Sequence, residues 1–247
     1  MVAIADHLGG LEPFFIEFEQ TYLHGDMLLD AQADRPPAIL FLHGAEQNDD
    51  RSQFFLLRHL LFRQYGLSSC TFDFIGHGST GGEKRNSSLQ QRTLQANDIV
   101  DACFDSQPFS IVAVGMSAYT ALKLTEMACV RHLVLMMPMI YCSGAYSVTF
   151  GDEAFEQLAN CSCSTARSDA LVMVEHFQGR LCQVAATQEM GCSTNVIEHL
   201  YEKAVNATQR QVLSTPCDAT QLMGYANKNP LFLKRLADNI ASVCQEA

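Results

Sequence analysis

Residues 109–122, Phe-Ser-Ile-Val-Ala-Val-Gly-Met-Ser-Ala-Tyr-Thr-Ala-Leu, constrain the fold of this chain more than any other stretch. A β-branched run meets Gly115-Met116-Ser117 and passes directly into residues that favour a helix. A strand turning sharply into a helix belongs to a parallel sheet that helices cover. A serine on such a turn has its hydroxyl lifted above the sheet edge, where it serves as a nucleophile if a base stands beside it. That base is nearly always a histidine, and in this order of elements it comes last. After His199 the chain contains no histidine. The stretch therefore speaks for a fold and leaves activity open.

The rest of the chain alternates in the same way. Phe14–Tyr22 and Met27–Ala31, parted by His24-Gly25-Asp26, are expected as an opening β-hairpin. Strands are then expected at Ala38–Leu42, Ser69–Phe74, Ile111–Val114, Leu133–Met137, Leu181–Ala186 and Gln211–Ser214. Helices are expected at Ser52–Gln64, Ser88–Cys103, Ala118–Cys129, Asn195–Ala207 and Leu231–Val243, with Ser88 and Gln91 in capping-box spacing. Residues 142–179 break the rhythm with short helices at Glu153–Leu158 and Ala170–Phe177, and are expected as a cap over the sheet's C-terminal edge. The fold class is α/β: a mostly parallel central sheet with helices on both faces, an opening hairpin and a small helical cap. Without repeats or linkers, residues 1–247 are read as a single domain holding the cap at 142–179.

Composition excludes several partners. The formal net charge of −11 argues against nucleic acid or an anionic membrane surface, both of which call for clustered Lys and Arg. The longest apolar stretch, Leu133–Cys142, has ten residues and is too short to span a bilayer. Met1–Gly10 lacks a basic region followed by an apolar run, so a cytoplasmic setting with reduced thiols is expected. The ten cysteines form no C-x-x-C pair, and Cys161-Ser162-Cys163 is their one close spacing, so no metal site is read. No cofactor is expected either. Gly76-His77-Gly78-Ser79-Thr80-Gly81 spells G-x-G-x-x-G, but Asp101 falls inside a predicted helix rather than at the end of a second strand, which excludes a dinucleotide fingerprint.

Three segments, in order and in register, resemble the α/β-hydrolase family. Leu40-Phe41-Leu42-His43-Gly44 is similar to its strand and His-Gly turn. Phe72-Asp73-Phe74-Ile75-Gly76-His77-Gly78-Ser79 resembles its Asp-Phe-x-Gly-His-Gly-x-Ser loop, and Val114-Gly115-Met116-Ser117-Ala118 resembles its nucleophile elbow. The likeness extends over nearly the whole chain. It implies that Ser117 is the nucleophile, that the N–H groups of Ala45 and Ala118 form the oxyanion hole, and that Glu189, after the strand ending near Thr187, is the acid. A surface glutamate at a strand end is the plainer reading of Glu189.

The chain departs from the family twice. The family prefers a small residue two places after the serine, and here that residue is Tyr119. Its histidine belongs in the loop after the last strand, where this chain has Cys217 and Asp218. An unperturbed aspartate, with a pKa near ~4, is a weak base at neutral pH. His43 is the best substitute base, because its strand should neighbour that of Ser117. His77 shares the correct edge, and both histidines also read as loop-holding residues. His59 and His199 fall on helices, His132 on the wrong edge, and His176 at the end of the cap helix. Two functions follow. One is a serine hydrolase cleaving a carboxylic ester or thioester through Ser117, with a small apolar ester-like ligand. The other is a catalytically degenerate protein that binds a ligand or a protein through the same pocket. The oligomeric state cannot be read from the chain.

Overall fold

The structure, a computed structural model, describes residues 9–31, 35–161, 164–186, 192–215 and 222–245. Glu189, Cys217 and Asp218 lie outside the described residues. All eight strands join one sheet in the order β1-β2-β4-β3-β5-β6-β7-β8. The strands are β1 (Gly9–Phe18), β2 (Thr21–Asp30), β3 (Ile39–Leu42), β4 (Ser69–Phe72), β5 (Phe109–Val114), β6 (Val130–Met136), β7 (Arg180–Ala186) and β8 (Gln209–Thr215). From β4 to β8 the pairing is parallel, while β1 and β2 run antiparallel at one edge. The α/β class expected from the alternation is what the chain forms.

The helices are α1 (Phe55–Tyr65), α2 (Leu89–Cys103), α3 (Ser117–Leu124), α4 (Glu153–Ala159), α5 (Ala170–His176), α6 (Cys192–Lys203), α7 (Leu222–Lys228) and α8 (Pro230–Cys244). They divide between the two sheet faces because β3 to β7 are apolar on both. Leu40, Leu42, Ile111 and Leu133 face α2, α3, α5 and α6, whereas Ile39, Phe41, Val112 and Val134 face α1, α7 and α8. Each large apolar side chain buried in this way stabilises by about 1.5–3 kcal/mol. An exposed pair such as Lys234–Asp238, 2.9 Å apart, contributes roughly 0.3–0.5 kcal/mol, so the two apolar layers hold the sheet. Between β6 and β7 the chain carries α4 and α5.

Local chemistry departs from expectation at three places. The hairpin turns at Glu19-Gln20, with Glu19 at φ 52°, rather than at His24-Gly25-Asp26. Gly25 is instead inside β2, where a Cβ would lie 2.1 Å from the Phe14 ring, so the glycine is there to let that ring lie flat on the strand. Helix α7 has only a weak signal in the sequence, seven residues containing Gly224, yet Leu222, Met223 and Ala226 are buried against the sheet. The thiols are not uniformly reduced either: Cys70, Cys103, Cys129, Cys142, Cys182 and Cys244 are free, but Cys161 is disulfide-bonded. No helix among the described residues is long and apolar enough to cross a membrane.

Candidate active site

Strands β3 and β5 are neighbours with Leu42 opposite Ala113, so the loops leaving them emerge side by side at the C-terminal edge of the sheet. One loop is His43-Gly44-Ala45, and the other is Gly115-Met116 leading into Ser117 at the start of α3. They touch: a Cβ on Gly44 would lie 3.7 Å from the Val114 carbonyl and 2.3 Å from an Asp49 carboxylate oxygen, which is why this residue has no side chain.

The left-handed residue of the second turn is Gly115, at φ 56°. Its N–H donates to the Met136 carbonyl at 2.9 Å, and its own carbonyl accepts from the Ala118 and Met139 N–H groups, both at 3.1 Å. These bonds hold the turn from both sides. Gly115 is partly exposed, and a Cβ placed on it would meet no atom within 4 Å. Ser117, two residues on, is fully buried. Its Oγ donates to the His43 carbonyl at 2.5 Å and accepts from Arg92 Nη2 at 2.7 Å. Among the described residues no imidazole bonds this hydroxyl.

Of the residues expected at the site, Ser117, His43, Ala45 and Ala118 lie on these two adjoining loops, though not in the expected relations, while Glu189 lies outside the described residues. His43 meets Ser117 through its backbone, not its ring. The ring Nδ1 lies 2.8 Å from the Gly44 carbonyl, and Nε2 accepts the Phe74 N–H at 3.1 Å, so Nδ1 carries the proton and both nitrogens are engaged. Burial, then the Arg92 charge, keeps His43 neutral well below the usual imidazole range. The substitute-base role therefore finds no support in its geometry. The Ala118 N–H, expected as an oxyanion donor, is already bonded to Gly115 because it closes the first turn of α3. The N–H groups of Met116 and Ala45 form no hydrogen bond among the described residues. Tyr119 is buried, and its hydroxyl donates to Asp169 at the start of α5 at 2.6 Å, while Lys123 pairs with the same carboxylate at 2.7 Å. The residue that departs from the family thus ties α3 to the segment between β6 and β7.

Arg92 belongs to the site as well, without any motif in the sequence to mark it. Its Nη2 donates to the carbonyls of His43 and Gly44, at 3.0 and 3.1 Å, and its guanidinium lies 3.7 Å above the Phe74 ring. The side chain is 1% exposed, and burial brings its pKa down to about 9, so it remains a cation at neutral pH. A signal existed. Leu89, Arg92, Ala96 and Ile99 follow the spacing of one buried helical stripe, and a charge on that stripe has to find polar partners inside.

His77 is also buried, its Nδ1 donating to the Asp49 carbonyl at 2.9 Å and its Nε2 left without a partner among the described residues. Burial, followed by the Arg92 charge, lowers its pKa from 6.5 to about 4. The folded state therefore resists protonation. Below about pH 6.5 the unfolded chain takes up the proton first, and stability falls until about pH 4, by on the order of 2–3 kcal/mol. Urea denaturation at pH 7 and pH 5 should show this loss, and His77→Gln should flatten the slope between them. An unchanged slope in the variant would show that other groups carry the acid sensitivity.

No family model and no curated protein matches the chain by sequence. Solved structures do match. The thioesterase domain of the curacin biosynthetic pathway is 14% identical at a TM-score of 0.67, over 95% of this chain and 99% of its own. A carboxylesterase of the thaumarchaeon Nitrososphaera gargenis is 9% identical at 0.69, over 93% and 98%. The mouse α/β hydrolase domain-containing protein 10 is 12% identical at 0.67, over 94% and 97%. Together with the parallel sheet, the His-Gly loop and the strand-turn-helix at Gly115, these likenesses show that this chain has the α/β-hydrolase fold.

Proposed function

We propose that this protein binds an ester- or acid-type ligand at the edge formed by the 43–45 and 114–117 loops and does not hydrolyse it. The observation that carries this reading is the position of Gly115. In a nucleophile elbow the reactive side chain stands on the strained residue of the strand-to-helix turn. That residue is Gly115, with open space before it and no side chain. Counted from Gly115, the residue two places on is Ser117, which is small and packed. Counted from Ser117 it is Tyr119. The frame set by Gly115 removes the sequence's own departure from the family pattern. Ser117 then serves as a packed, hydrogen-bonded link between α3, Arg92 and the His43 carbonyl. The segment at 142–179, tied down through Tyr119 and Asp169, acts as a cap in this reading.

The second reading, a serine hydrolase working through Ser117 on an ester or thioester, draws support from structural neighbours that are a thioesterase and a carboxylesterase. The two are separated by labelling with a fluorophosphonate and by turnover of p-nitrophenyl acetate. The non-hydrolytic protein is expected to show neither above background, and Ser117→Ala is expected to leave both unchanged. Turnover in the ordinary enzyme range of ~1–10³ per second, abolished by Ser117→Ala, would overturn the proposal.

A further inference from the structure

The 43–45 loop is held from behind by cations. Arg92 Nη2 donates to the carbonyls of His43 and Gly44, and Lys84 Nζ donates to the carbonyl of Ala45. The Gly44 carbonyl also accepts from His43 Nδ1. That carbonyl and the Ala45 N–H belong to one peptide group, so two donors on the oxygen polarise the N–H on its other side. With no partner among the described residues, this N–H is a strengthened donor. The Met116 N–H stands on the adjoining turn, beside the space that Gly115 leaves open.

The charges around this pair are unevenly placed. Arg92 forms no ion pair among the described residues, and its buried Nε has no partner there. Lys84 is half-buried against the same loop. Two carboxylates are close. Asp49 packs its carboxylate against Gly44 and spends it on the Glu46 N–H at 2.9 Å, and Glu46 itself is exposed, where solvent and salt screen it. Buried cations are screened far less, and a hydrogen bond to an ionised acceptor is about twice as strong as one to a neutral acceptor.

We infer that the ligand at Gly115 presents a carboxylate: a small organic acid whose oxygens accept from the Ala45 and Met116 N–H groups, with Arg92 and Lys84 behind the loop supplying the charge. This inference rests on the non-hydrolytic reading, since a working hydrolase would hold an ester there only until it was cleaved.

The test is binding of hexanoate against methyl hexanoate, followed on the amide ¹H–¹⁵N signals of the full chain. Hexanoate should shift the Ala45 and Met116 signals and bind about tenfold more tightly than its ester. Lys84→Met should weaken the acid about tenfold and leave the ester nearly unchanged. Arg92→Met serves only if its spectrum shows a folded chain, and Lys84→Met decides the matter otherwise. Equal affinity for acid and ester, shifts confined to other amides, or no shift with millimolar hexanoate would each overturn the carboxylate assignment and leave the non-hydrolytic reading standing. Conversion of methyl hexanoate to hexanoate during the titration would overturn that reading itself.

Discussion

Gly115→Ser is expected to give the turn a reactive hydroxyl at a position that has no side chain, and with Cys217→His or Asp218→His to raise fluorophosphonate labelling at position 115 by about 10²–10⁴-fold over Gly115→Ser alone. Space allows the substitution, because a Cβ on Gly115 meets nothing within 4 Å. The cost is backbone strain, about 1–2 kcal/mol for a residue other than glycine held at φ 56°. In the proposed reading the introduced serine would stand beside the Met116 and Ala45 N–H groups, which have no partner among the described residues and would receive the developing oxyanion. What it would lack is a base. Residues 217 and 218 follow β8, which leaves the sheet at its C-terminal edge with Thr215, and there the family carries its histidine. Glu189 enters as the group that would orient a new imidazole, so adding Glu189→Gln should remove most of the gain. Mass spectrometry of the labelled peptide provides the readout, with Ser117 left in place throughout. Label on Ser117 rather than on residue 115 would show that the frame assigned to the turn is wrong.

Arg92→Met should be the most destabilising single substitution at the site, by about 3–5 kcal/mol. It removes the shared donor of three buried acceptors, the carbonyls of His43 and Gly44 and the hydroxyl of Ser117. Ser117 Oγ keeps its own donation to the His43 carbonyl, so Ser117→Ala alone should cost far less, about 1 kcal/mol. Arg92→Lys keeps the charge yet cannot reproduce a planar guanidinium stacked on Phe74, and should fall between the two. Urea denaturation of the three variants orders them. If Ser117→Ala proved as damaging as Arg92→Met, the serine rather than the arginine would be the centre of the network.

How much of this was legible in the chain differs between fold and site. The parallel sheet could be read because buried strands announce themselves as short apolar runs and the helices between them follow a local period. Ser88 capped α2 as its spacing with Gln91 required. The hairpin turn was misplaced, since Gly25 signals a turn locally and its real role, room for the Phe14 ring, involves another strand. Helix α7 escaped because its stability comes from packing on the sheet rather than from its own residues.

The site was legible as a place and not as a chemistry. Both loops, the His-Gly turn and the elbow, are local patterns, and the sequence alone determined that they lie at one sheet edge and that no histidine follows the last strand. Which residue of Gly115-Met116-Ser117 occupies the strained turn depends on where β5 ends and α3 begins, and backbone bonds from Met136, Ala118 and Met139 set that frame. A shift of two residues moves a serine from the open edge to the interior. Whether Arg92 lies on the surface or beneath the site is likewise undecidable from α2 alone. Its partners are two carbonyls 49 and 48 residues away and a hydroxyl 25 residues away, and only folding brings them within reach of one guanidinium.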